Sequence, residues 1–298
     1  MARYGIRSLP GPQPVVLNGD MSTELILLGT AGGPTPRGHR MAPGNVVLVN
    51  GSAYVVDAGN GVAEQLAKAG VPFSALRAVF ITHHHSDHNA DMGNLLLLGW
   101  SGISRVVHVY GPPPIAEAMD HFLSMQRFDI ETRVHDEGRT HLRDLLEVHE
   151  VSGNGVVYQD ENVTVTSGLV EHPPVLPALG YRIDTADRSI AFSGDTTVCD
   201  GMVELARDVD VLVHEVMHVP ALDAIVKGHT GSTILKHLVD SHTSADEVGG
   251  VAARAGATTL VLTHFVPSGD TVDEETWRAE ASKGFEGEVV VGRDLMRL

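Results

Sequence analysis

Cysteine is nearly missing from this chain: Cys199 is the single one in 298 residues. A lone thiol excludes an intramolecular disulfide and any cysteine-rich zinc finger, and it fits a reducing compartment. Basic residues are scarce too, with 21 Lys and Arg against 38 Asp and Glu and a net charge of −17. Such a chain repels polyanions unless it holds a local basic groove, so nucleic acid is not the expected partner. Long apolar runs are lacking. Leu95 to Leu98 is far too short to span a bilayer, and Met1 to Asp20, with Arg3, Arg7 and three prolines, has no apolar core of signal-peptide length. Low-complexity tracts and internal repeats are not evident. The expectation is a soluble, cytoplasmic homodimer with no membrane contact, acting on a small molecule, and an N-terminal arm over residues 1–21.

What is present is an ordinary globular balance, 43% apolar and 20% charged. Seventeen histidines stand out. With one thiol available, a transition-metal site must be built from imidazole and carboxylate. Length alone suggests two domains at roughly 150 residues each, but no linker-like composition shift divides the chain, so one unit over residues 22–298 is preferred. Glu24 to Leu28 reads as a buried strand followed by a Gly- and Pro-rich loop, Gly29 to Gly44. Asn50-Gly51 between two apolar runs is a strong hairpin signal. Buried strands follow at Ala78 to Ile81, Val106 to Tyr110, Val209 to Val213 and Thr258 to Leu262, with helices at about Gly61 to Ala69, Ile115 to Gln126 and Ser244 to Ala255. Ser244 with Glu247 three residues on has the form of a capping box. Hairpins mixed with strand–helix alternation predict an α/β protein, an αββα sandwich of two facing mixed sheets with outer helices.

Most of the chemical information sits in Val79 to His88, where an apolar strand ends in Thr82-His83-His84-His85-Ser86-Asp87-His88. His83 and His85 are two apart, so an extended backbone puts both on one side; Asp87 and His88 follow where the chain must turn. Imidazoles with a carboxylate suit zinc, manganese or iron rather than calcium.

This His83-x-His85-x-Asp87-His88 segment resembles the signature of the metallo-β-lactamase superfamily of metallohydrolases. The resemblance runs over about residues 22 to 270, and it implies the remaining ligands: His172 in "VEHPPVLPALGYRI", Asp195 in "IAFSGDT" as the bridging carboxylate, and His264 in "LVLTHF". It also matches Asp57 in "VVDAG" to the buried aspartate that usually precedes this segment; without a place among the ligands, Asp57 is expected to orient an imidazole or to support the ligand loop. Within the superfamily the chain is similar to the ribonuclease Z and arylsulfatase-like branch, on "LLGTAGG", "ALGYRI", "VHEV" and "HTSADEVGGVAARAGATTLVLTHF". That branch implies a His–Glu pair, here His242 and Glu215, that protonates the leaving group. Asp87, His242 and Glu215 are the candidate catalytic residues.

Two divalent ions held about 3.5–4 Å apart can share a water and lower its pKa toward about 7, which gives a bridging hydroxide as nucleophile. The expected reaction is hydrolysis of a small phosphodiester, cyclic phosphate or sulfate ester, with lactones and carboxyl esters served by the same chemistry. The alternative is a tRNA 3′-end endoribonuclease. Bacterial ribonucleases Z carry a long arm shortly before the bridging aspartate, whereas here Asp184 to Arg188 forms only a short turn. Two longer stretches, Phe122 to Val151 and His218 to Ser241, are expected to cover the active-site mouth. His218 and His229 are candidate extra ligands, substrate contacts or solvated helix surface, and His39 and Arg40 candidate contacts to an anionic group or solvated loop. Gly29 to Gly33 lacks dinucleotide spacing, and Ser193 and Ser232 lack a nucleophile-elbow context.

Overall fold

The hairpin at Asn50-Gly51 forms as its sequence requires. Both residues have positive φ, 49° and 75°, the backbone that a two-residue turn between right-twisted strands needs. It joins β2 (Gly44–Val49) to β3 (Ser52–Val56). These belong to a six-stranded sheet completed by β1 (Glu24–Gly29), β4 (Leu76–Phe80), β5 (Val107–Gly111) and β6 (Leu146–Glu150), in the spatial order β1 to β6. The second sheet has seven strands: β7 (Gly155–Gln159), β8 (Thr164–His172), β9 (Val175–Asp184), β10 (Ser189–Phe192), β11 (Val211–Met217), β12 (Thr259–Val266) and β13 (Glu288–Val291), again in chain order. These are the features of a computed structural model that describes residues 22–228, 231 and 233–298. The arm expected over residues 1–21 lies outside the described residues.

Each sheet begins antiparallel, through hairpins, and ends parallel, through helical crossovers. Because parallel neighbours end on the same side, the C-terminal ends of β4, β10, β11 and β12 deliver their following residues to one rim of the molecule. The inner faces meet in a core that includes Leu25, Leu27, Tyr54, Phe80, Leu179, Tyr181, Phe192 and Val213. On the outer face of the first sheet pack α1 (Val62–Lys68), α3 (Met92–Gly99), α4 (Ile115–Met125) and α5 (Arg127–Glu137), with the short α2 (Ser86–Asn89) between β4 and α3. The second sheet is covered by α6 (Asp200–Leu205), α9 (Ala245–Ala255) and α10 (Glu274–Ala281), with Trp277 and Phe285 in that layer. A smaller cluster of Met217, Leu222, Leu238 and Val266 seats α7 (Asp223–Gly228) and α8 (Ile234–Ser241) near the rim. The expected sandwich of two mixed sheets between helices is therefore found.

Phe122 to Val151, expected over the active-site mouth, is anchored on the helical layer of the first sheet. Leu123, Ile130, Leu142 and Leu146 are buried in the outer core of the first sheet, so the stretch completes the helical layer and supplies β6 as an edge strand. The capping box expected at Ser244 is not formed: its hydroxyl lies against Asp246 Oδ1 (2.7 Å) and Glu247 Oε2 (2.5 Å) and accepts no backbone amide. Among the described residues no helix is long and apolar enough to cross a membrane.

Candidate metal centre and proton donor

The histidine-rich segment is held by the chain that precedes it. β4 ends at Phe80, Thr82 to His85 run extended, and α2 starts at Ser86, which turns Asp87 and His88 back into the protein. Asp57 follows β3 with φ 64°, a left-handed backbone uncommon for a residue other than glycine. Its carboxylate accepts the Thr82 amide (2.9 Å) and hydroxyl (3.0 Å) and pairs with His88 Nδ1 at 2.8 Å. The neighbouring Ala58 amide donates to the His88 carbonyl at 2.7 Å. Gly59 passes so close that a Cβ there would lie 2.1 Å from the Asp87 carbonyl oxygen. Gly59→Ala is therefore expected to push α2 outward and destabilise the protein by about 1–3 kcal/mol, the cost of overpacking a close contact. A chemical denaturation midpoint that does not fall would show that the loop yields freely.

Seven side chains from distant positions meet around this segment. His83 Nε2 and His172 Nε2 each lie 3.1 Å from His85 Nδ1. Asp195 Oδ2 faces His83 Nε2 at 3.8 Å and His172 Nε2 at 4.0 Å. On the other side Asp195 Oδ1 faces His88 Nε2 at 3.2 Å and His264 Nε2 at 3.3 Å. Asp87 Oδ2 lies 3.4 Å from His264 Nε2 and 3.7 Å from His88 Nε2 and accepts the Gly33 amide at 2.9 Å. His83, His85, His172 and Asp195 thus form one group of donors and Asp87, His88 and His264 a second, with Asp195 reaching both. His264, like Asp57, has positive φ, 46°; left-handed backbone at non-glycine positions concentrates at functional sites.

The donors fit divalent transition-metal ions. Ligands about 2.0–2.1 Å from a tetrahedral ion stand about 3.3 Å apart, and most of the spacings above lie near that. His88 Nε2 and Asp195 Oδ1 are buried without a hydrogen-bond partner, a cost that a shared cation removes. Burial pushes His83 well below the usual imidazole range, His85 down to about 4, and His172 down; all three are held neutral, the form that ligates. Burial also opposes charge on His88, yet the carboxylates of Asp195, Asp57 and Asp87 outweigh it and hold a proton there. The Asp195 carboxyl meets the same burial penalty, and His264 and His88 nonetheless hold it well below the usual carboxylate range. This half of the site demands positive charge.

Beside Asp195 stands a second arrangement. Glu215, near the end of β11, accepts His242 Nδ1–H at 3.0 Å, and the same Oε1 takes the amides of Thr196 (2.9 Å) and Thr243 (3.3 Å). Burial works against protonation of His242, but the Glu215 carboxylate, with help from Asp195, lifts it to about 9. His242 Nδ1 is 4.0 Å from Asp195 Oδ2, so a protonated imidazole abuts the donor groups.

The remaining sequence candidates are engaged elsewhere. His218 packs edge-on against Trp277, ring centroids 5.6 Å apart. His39 Nε2 lies 2.9 Å from the Ser268 carbonyl oxygen. The Arg40 guanidinium donates to Thr30 Oγ1 (2.6 Å) and the Gly292 carbonyl (3.0 Å) and stacks 4.3 Å over the Phe265 ring. These three fasten the loops around the rim rather than line the clusters. His229 lies outside the described residues. One residue that the sequence gave no reason to choose is brought in: His237 on α8, half-buried, with its ring centroid 5.9 Å from His85, 6.0 Å from His172 and 6.1 Å from His242. Its signal was weak because α8 carries the ring to the site only once the helix has docked.

A model of the β-lactamase superfamily domain matches residues 53–265. With the relatives that follow, the match marks a hydrolytic enzyme and places the chain in the β-lactamase superfamily. Within it, the chain belongs with the ribonuclease Z proteins: it is 36% identical over 279 residues to the ribonuclease Z of Mycobacterium bovis, which covers 92% of this chain and 97% of that one. Two solved structures share the fold at lower identity. The metallo-β-lactamase fold protein YhfI from Bacillus subtilis superposes with a TM-score of 0.69 at 21% identity, over 93% of this chain and 98% of that one. Human tRNase Z, short form, superposes with a TM-score of 0.68 at 23% identity, over 92% and 98%. These names give no support to the arylsulfatase side of the resemblance. They also remove the ground for excluding nucleic acid by net charge: a total of −17 sums the whole surface, whereas a phosphodiester meets only the local field of the site.

Proposed function

We propose that this chain is a binuclear metal-dependent phosphodiesterase of the ribonuclease Z type that cuts precursor tRNA at its 3′ side. His83, His85 and His172 would hold one divalent ion and Asp87, His88 and His264 the other, with Asp195 between them, and zinc is the metal that best suits the imidazole-rich donor set. Two ions bound there would supply an acidified water near neutral pH and positive charge opposite the anionic transition state. The protein contributes the rest. Asp57 on His88 Nδ1 and the Ser241 carbonyl on His172 Nδ1 (2.8 Å) fix each ring so that Nε2 faces the site. Glu215 holds His242 protonated through Nδ1 and leaves its Nε2–H as donor to the departing oxygen.

The observation that carries this reading is the His242–Glu215 pair beside Asp195. An RNA phosphodiester expels a ribose alkoxide, a strongly basic leaving group that needs a proton as the bond breaks; an aryl sulfate expels a phenolate that needs far less. Homology over nearly the full length to proteins named ribonuclease Z supports RNA as the substrate class. A second reading, cleavage of a small phosphodiester or cyclic phosphate, is favoured by the tight turn from β9 to β10, closed by the Thr185 amide on the Arg188 carbonyl at 2.9 Å, where the resemblance would place a tRNA-gripping arm.

Precursor tRNA with a 3′ trailer and a nucleoside 2′,3′-cyclic phosphate, offered to the same metal-replete preparation, separate the two. The expected result is one discrete cut in the precursor, abolished by chelator and restored by zinc. A precursor left intact while the cyclic phosphate turns over would replace the first reading with the second.

A further inference from the structure

We propose that His108, Glu147 and His149 form an additional transition-metal site at the open edge of the sandwich, separate from the hydrolytic centre. β5 and β6 are parallel neighbours, and their register sets His108 beside Glu147 and Tyr110 beside His149. Val107 and Val109 point into the outer helical core, as do Leu146 and, partly buried, Val148. Side-chain alternation therefore turns His108, Tyr110, Glu147 and His149 toward the opposite sheet. In the middle of the sandwich that face is apolar. At β6, the last strand of its sheet, it carries two imidazoles and a carboxylate instead.

The three donors converge. His108 Nδ1 lies 3.3 Å from His149 Nε2 and 3.3 Å from Glu147 Oε2, and His149 Nε2 lies 3.8 Å from the same oxygen. Those are close to the edges of a tetrahedron of ligands about 2.0–2.2 Å from its centre, and they match the spacings among the donors of the hydrolytic site. The rings are fixed by packing: Tyr110 stacks on His149 with centroids 4.4 Å apart and planes 12° from parallel, and Tyr158 of β7 lies 5.6 Å from the His108 ring. The side chains are 29%, 56% and 38% exposed for His108, Glu147 and His149, open enough for an ion to enter and for solvent to complete its coordination. Two imidazoles and one carboxylate select zinc, cobalt, nickel or copper over magnesium and calcium. A bound ion would clamp the edge strand β6 to β5.

The test is zinc binding by calorimetry and by elemental analysis after gel filtration, at micromolar free zinc, on Asp195→Ala protein so that the hydrolytic centre is weakened independently. At least one equivalent should remain bound, including one at the edge site. In the same background His149→Ala should abolish it, and Glu147→Gln, which keeps shape at a half-exposed position, should weaken it by at least about tenfold, the lower end of what tuning groups around a metal contribute. Zinc should also broaden or shift the His108 and His149 imidazole resonances in NMR spectra before any others. An equal number of equivalents, at equal affinity, with and without the His149→Ala and Glu147→Gln changes would overturn the proposal, as would a retained equivalent that leaves these two resonances unmoved. Neither result bears on the ribonuclease reading, because none of the three residues touches that site.

Discussion

Asp195→Ala is expected to reduce hydrolysis of every substrate by at least about 10³-fold, the scale of losing one preorganised charge contact in a dry site, and to lower the content of divalent metal. Among the described residues, Asp195 is the one side chain whose two oxygens face both donor groups, Oδ2 toward His83 and His172 and Oδ1 toward His88 and His264. Removing it takes the shared carboxylate from both groups and leaves His88 with Asp57 and Asp87 and His264 with Asp87. His88 in particular owes its raised pKa to Asp195, ahead of Asp57 and Asp87, against its burial. Two readouts check the claim together: activity on activated and unactivated esters, and zinc per chain by elemental analysis. Full metal content with normal turnover would remove Asp195 from the site.

His242→Ala is expected to cost about 10²–10⁴-fold, the usual worth of general acid catalysis, for substrates that expel an alkoxide, and little for nitrophenyl esters, whose leaving group departs without a proton. Metal content should hold, because His242 is bound to Glu215 rather than to the ligand histidines. The pH profile supplies a second check. His242 is raised to about 9 by Glu215 against the effect of burial. The proton donor is therefore present at low and neutral pH and is lost as pH rises through that value, so activity falls on the alkaline side. The same sign holds for stability: a folded pKa above the ordinary 6.5 contributes below 6.5, and the contribution disappears as pH climbs toward 9. Glu215→Gln removes the carboxylate that raises it and should move the alkaline limb to lower pH. Equal losses for all leaving groups would show that His242 is a ligand or a support and not the acid.

Contacts between distant segments are not legible in the sequence. Phe122 to Val151 stands out there by its length alone, and Leu123, Ile130, Leu142 and Leu146 close on the outer core only once β5 and β6 pair. Arg40 reads in the sequence as a contact to an anionic group or as part of a solvated loop, and only the folded chain shows Phe265 beneath it and Thr30 beside it. His237, unassigned in the sequence, reaches the donor groups because α8 docks through Leu238.

The sequence by itself determined whatever depends on neighbours along the chain. An apolar strand, a two-residue histidine alternation and a turn containing Asp87-His88 fix the nucleus of the site locally, since strand period and turn chemistry act over a few residues. Asn50-Gly51 fixed its hairpin in the same way. Resemblance extended this to His172 at the end of β8, Asp195 just beyond β10, Glu215 and His264 near the ends of β11 and β12, and His242 between α8 and α9. Tertiary structure decided how those distant ends meet: which oxygen of Asp195 faces which histidine, that Asp57 holds His88, that Glu215 charges His242, and that His108, Glu147 and His149 converge at an edge. These contacts depend on strand register and on the stacking of two sheets, set by burial of both inner faces at once, and no single segment carries that information.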